Sequence, residues 1–162
     1  MAITRLNNNS ITSVTALPSG VGGKVLQVKS AYITTGVTGN HTTFQATGLS
    51  VSITPSSTSS KIFATVQGGA FYNTTIAGVT MRCTIYRDST NLGDSDYGLA
   101  RYSSLGGSWT ITPHSFSVLD SPSSTSSLTY EVYYKNADAS ATIQFNSSDR
   151  GRPTLTLFEI GA

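Results

Sequence analysis

Eight runs of alternating or β-branched residues punctuate the chain: "KVLQVKSAYI", "GLSVSI", "KIFATVQGGAFY", "VTMRCTIYR", "SWTITPHSFSVL", "LTYEVYYK", "ATIQF" and "TLTLFEI". Gly, Asn, Asp, Ser and Pro separate them, as strand connections require. No stretch of ten or more residues carries an amphipathic helical period with good helix formers. Eight short strands with regular turn signals predict an all-β antiparallel sandwich or jelly roll over residues 24–162. The last run stops at Ile160 and is among the most apolar, which places it inside a sheet with neighbours on both sides.

One connector is used twice. "TPSSTSSK" and "SPSSTSSL" each stand between two strand runs, so the Ser/Thr string reads as a strand connection and not as a linker. Pro55 and Pro122 remove a backbone donor at a strand end, and the hydroxyls satisfy local backbone groups without charge. The rest of the two halves does not align, which argues for one domain and not a tandem repeat.

Residues 1–23, "MAITRLNNNSITSVTALPSGVGG", are different in kind: polar, turn-rich, without helical period or long alternation. They read as an extended arm, with Ile3, Leu6, Ile11, Val14 and Leu17 as the apolar side chains that would hold it to another protein. The start lacks the apolar core of a signal peptide, and no apolar run is long enough to cross a bilayer, so the expectation is a protein made in the cytoplasm with no membrane insertion.

Composition narrows the function. Only 11% of residues are charged, the formal net charge is +2, and 49 of 162 residues are Ser or Thr. Without a concentrated basic face, nucleic acid is not an expected partner.

Individual motifs point away from catalysis. "SGVGGK" has Pro18 where a phosphate loop needs its first Gly, and Val25 where it needs Ser or Thr. "DSDYG" offers Asp94 and Asp96 as weak metal candidates, but Leu105 occupies position twelve, where a calcium loop needs a bidentate Glu. His41 and His114 are too few for a histidine metal centre, and Cys83, on one strand face with Val79, Met81 and Ile85, reads as a small core residue. There is no G-x-S-x-G elbow and no locatable carboxylate pair, so the expectation is no enzyme and no cofactor. A residual hydrolase reading would hang on His114. The Asn-x-Ser/Thr sequons at Asn8, Asn40, Asn73 and Asn146 are what this composition yields by chance.

Aromatic side chains are concentrated on the strands. "TYEVYY" sends Tyr130, Val132 and Tyr134 to one face and Glu131 and Tyr133 to the other, which predicts core on one side and a subunit interface on the other. Tyr130, Tyr133, Tyr134 and Phe158 are the interface candidates; sugar stacking is the alternative use of such rings.

The opening "TRLNNNSITSVTALPSG" with "VGGKVLQV", the block "TGLSVSITPSSTSSKI" and the closing "TLTLFEIGA" resemble virion proteins of bacteriophages, particularly of cyanobacteria and marine bacteria, where comparable modules occur in tail fibres and small capsid-associated proteins. Such modules resemble trimeric jelly rolls of the tumour necrosis factor and complement-head type. The resemblance implies a homotrimeric, non-enzymatic surface protein of the virion, tied by its arm to other virion proteins as a capsid decoration or head fibre. The alternatives are a short tail fibre or receptor-binding tip that reads a host surface glycan, and a free-standing carbohydrate-binding module.

Overall fold

The computed structural model describes residues 24–73, 78–104, 110–137, 142–149 and 151–162. Residues 1–23, with the five apolar arm side chains, and Leu105 lie outside the described residues.

The strands in chain order are β1 (Val25–Tyr32), β2 (Thr38–Gly39), β3 (Gln45–Ile53), β4 (Lys61–Asn73), β5 (Thr80–Arg87), β6 (Thr90–Asn91), β7 (Ala100–Ser103), β8 (Thr110–Asp120), β9 (Leu128–Asn136), β10 (Ile143–Gln144) and β11 (Thr154–Ile160). The first sheet contains the run β1-β11-β4-β8, with β10 and β2 continuing from β4, and the second the run β3-β9-β5-β7, with β6 also paired to β5. The pairs β1·β11, β3·β9, β4·β8 and β5·β7 are all antiparallel. They are the rungs of one long hairpin, whose arms β1-β3-β4-β5 and β7-β8-β9-β11 roll together from one sheet to the other. That is a jelly roll.

Alternation decides what the roll encloses. Leu49, Val51 and Ile53 of β3, Ile62, Ala64 and Val66 of β4, Met81, Cys83 and Ile85 of β5, and Leu155 and Leu157 of β11 all point between the sheets and are buried. Tyr130, Val132 and Tyr134 join them. The sequence expectation that the last strand is internal holds: β11 pairs with β1 on one edge and β4 on the other. In β4 the register shifts between Gly68 and Ala70, where the strand passes from β11 to β10. Gly69 adopts φ 61° there, and a Cβ would stand 2.6 Å from Pro153 Cδ, so only glycine fits.

The rolled hairpin also accounts for the duplicated connector. Ile53 pairs with Leu128 and Ile62 with Asp120, so the β3–β4 and β8–β9 connections leave the sandwich at the same end. Each carries the chain from one sheet to the other. The same short, uncharged, hydroxyl-rich string serves twice because the two arms of the hairpin turn the same corner.

Different carboxylates hold the two copies. In the first, Glu159 is fully buried and accepts hydrogen bonds from the Ser56 amide at 2.7 Å, Ser56 Oγ at 2.6 Å and Gln27 Nε2 at 2.6 Å. Although burial raises its pKa, the hydroxyl, amide and backbone donors outweigh that and hold it down, at about 2. The second copy is framed by Asp120, which accepts Arg87 Nη1 on both oxygens at 2.7 Å and Tyr130 Oη at 2.6 Å. Asp88 Oδ1 then accepts the Thr129 amide where β9 begins.

Candidate functional site

The two outer faces of the sandwich differ in chemistry. On the first sheet the registers align Val28, Phe158, Phe63 and Leu119 in a single row across β1, β11, β4 and β8. Val28 and Leu119 at its ends are 51% and 52% exposed. The Phe63 and Phe158 rings between them are half-buried, with centroids 6.2 Å apart. The next row is Ser30, Thr156, Thr65 and Ser117, and beyond it Tyr32, Thr154, Gln67 and Ser115. Gln67 Nε2 donates to Ser115 Oγ at 3.2 Å.

Among the described residues, the large exposed apolar side chains are Val25, Leu26, Val28, Tyr32, Tyr97, Ile111 and Leu119. All but Tyr97 belong to β1 and β8, the two outermost long strands of this sheet. A solvated sheet face is expected to be polar throughout. An apolar row that crosses four strands, with hydroxyls beside it and no carboxylate in any of its three rows, has the composition of an interface centre. Lys24 Nζ bonds the Ala162 carbonyl at 2.8 Å and the Gly161 amide bonds the Lys24 carbonyl at 2.7 Å, so the residue that leads into β1 is held against the end of β11.

The outer face of the second sheet is built from charge. Asp96 Oδ1 accepts Arg82 Nη1 at 2.7 Å and Lys135 Nζ at 2.8 Å. The Arg82 guanidinium lies 4.5 Å from the centre of the Tyr97 ring, and the Lys135 ammonium 4.8 Å from that of Phe44. Tyr133 stacks on Tyr86 at 4.1 Å, and Phe44 meets Tyr86 edge-on at 6.4 Å.

These contacts occupy the two carboxylates of the "DSDYG" loop. Asp94 Oδ1 accepts the amides of Asp96 and Tyr97 at 2.8 and 2.7 Å, and these two bonds lower its pKa. Asp96 is lowered first by the Lys135 hydrogen bond. One carboxylate closes the loop and the other holds two cationic side chains. Among the described residues no group of three or more His, Cys, Asp or Glu side chains is placed to hold a metal.

The interface candidates separate. Tyr130 and Tyr134 are 0% and 2% exposed and belong to the core, which corrects their assignment as interface residues. Period two puts them on one face correctly, but parity alone does not say which face meets the other sheet. Tyr133 lies on the outer face of the second sheet, and Phe158 in the apolar row of the first. Phe63, Val28 and Leu119 complete that row and were not legible as a set. Their signal was present in "KIFATV", where Phe63 interrupts the polar phase of the alternation.

His114 is buried, with Nε2 bonded to the Phe145 carbonyl and its ring stacked 4.3 Å from Phe145. Burial lowers its pKa to about 4, so the imidazole is neutral and part of the core. Cys83 is buried in the core, and burial pushes its thiol up. Asn146, within one of the sequons, is fully buried.

No protein-family model matches the chain, and no curated protein matches it. Solved structures of infectious bursal disease virus are similar to it. One from the crystal structure of the T13 viral particle is 11% identical, with a TM-score of 0.41, covering 84% of this chain and 36% of that one. Another, from the VP2 subviral particle, is 11% identical, with a TM-score of 0.34, covering 84% and 37%. This chain spans little more than a third of those chains.

Proposed function

We propose that this protein is a non-enzymatic structural component of a bacteriophage virion, in which copies associate through the outer face of the first sheet and residues 1–23 fasten the assembly to another virion protein. The observation that carries the reading is the Val28–Phe158–Phe63–Leu119 row, because an apolar band across four strands of a sheet face marks an interaction surface. Three copies are the expected number, as in the trimeric jelly rolls that the sequence resembles. Within this class a capsid decoration or head fibre is preferred: Lys24 leads directly into β1, one of the strands of the apolar row, so arms leading into that strand can act together in an assembly closed on the row.

The test compares the full chain with a chain that starts at Lys24 for binding to phage particles stripped of their surface proteins. The full chain is expected to bind at defined sites on the head and the shortened chain at least tenfold less tightly. Equal binding by both, or no binding by either, contradicts the anchoring role.

A further inference from the structure

We propose that the loop over the second sheet is a binding site for a neutral sugar, with the Tyr97 ring as the stacking surface and Asp96 as the acceptor for sugar hydroxyls. This inference stands apart from the virion reading, since such a site serves a head protein, a tail protein or a free module alike.

Tyr97 is 57% exposed, yet its position is fixed. The loop is closed by Asp94 N to the Gly98 carbonyl at 3.2 Å and Gly98 N to the Asp94 carbonyl at 3.0 Å, and the Tyr97 amide is bound to Asp94 Oδ1. Gly98 has φ 70°, and a Cβ there would stand 2.4 Å from the Cys83 carbonyl oxygen and 3.2 Å from Phe44 Cζ. The loop is therefore pressed onto β5 and against Phe44. Arg82, anchored by Asp96, covers one face of the Tyr97 ring and leaves the other toward water. Lys135, anchored by the same carboxylate, lies over the half-buried Phe44 ring.

A ring pinned on one face loses little freedom when a ligand takes the other, which is the condition for affinity from a small contact. What fits is set by the surroundings. A protein partner needs some twenty residues with an apolar centre, and the apolar side chains that could supply one are on the first sheet. Here a single exposed ring stands beside a carboxylate, Asp96, that is already paired with Arg82 and Lys135. A pyranose offers an apolar C–H face to the ring and hydroxyls to a carboxylate while adding no charge to be balanced.

The test is an array of immobilised neutral bacterial oligosaccharides containing glucose, galactose and N-acetylglucosamine, probed with the full chain. Saturable binding to at least one sugar is expected, weakened tenfold or more in Tyr97→Ala and in Tyr97→Leu, which keeps an apolar cover over Arg82. Tyr97→Phe, which keeps the ring, is expected to bind as the unaltered chain does. Absence of binding to every sugar, or binding that survives Tyr97→Ala, overturns the proposal.

Discussion

Phe158 and Phe63 are direct partners across β11 and β4, in register on the outer face of an internal strand pair, and among the described residues both are only half-buried. Both lie where an ordinary sandwich places Thr or Lys. Replacing either by an acidic residue is therefore expected to change association and hardly touch folding. Phe63→Glu should reduce the mass in solution to that of one 17.0 kDa chain. Its melting temperature, measured on the dissociated protein, should stay within a few degrees, because surface substitutions away from special features cost about 0.5 kcal/mol or less.

The corner at Ser56 is expected to depend on Glu159. Glu159→Gln keeps the shape but turns an amide N–H₂ toward groups that already donate. One of those buried donors loses its acceptor, at a cost of about 1–3 kcal/mol. Urea denaturation at pH 7 measures it, and Ser56→Ala should lose less, since the Ser56 amide bond remains.

Acid should act in two stages. His114 has a folded-state pKa of about 4 against an ordinary 6.5, so the unfolded chain binds the extra proton between those values and stability falls as pH drops through that window. The loss is at most about 3 kcal/mol. Glu159 titrates at about 2 when folded and at 4.5 when unfolded, so its contribution is complete above pH 4.5 and disappears as pH falls toward 2. Denaturation midpoints at pH 7, 5 and 3 should show both steps, and His114→Gln should remove the first.

At Gly98, alanine is expected to cost about 2–4 kcal/mol, from the left-handed φ and the close approach of the Cys83 carbonyl together. Thermal melting of Gly98→Ala measures this. Gly48, which has φ 79° with open space around its Cβ position, should tolerate alanine better, at about 1–2 kcal/mol.

Much of the fold was legible because a jelly roll is written in period two. The runs 61–72, 79–87, 128–135 and 154–160 agree with β4, β5, β9 and β11 to within a residue or so, and the internal place of β11 follows from its apolar character. The four-residue β7 was missed: "ARYS" has too few residues to show alternation, and it is a strand because β5 offers it an edge. The duplicated connector was read as a strand connection, but that both copies turn one corner depends on the distant pairings Ile53 with Leu128 and Ile62 with Asp120, which no local pattern encodes. The candidate surface was harder still. Its row takes one residue from each of four strands, and only the registers bring Val28, Phe158, Phe63 and Leu119 into line. The partners of Asp96 were hidden for a similar reason, since Arg82 and Lys135 come from other strands.

The most direct measurement of the central claim is the mass of the full chain by multi-angle light scattering, beside Phe63→Glu and Leu119→Lys. The account predicts an oligomer, with three copies expected, and a single 17.0 kDa chain for both variants. A monomer for the unaltered chain at every concentration, or an oligomer that both variants leave intact, would contradict association through the outer face of the first sheet.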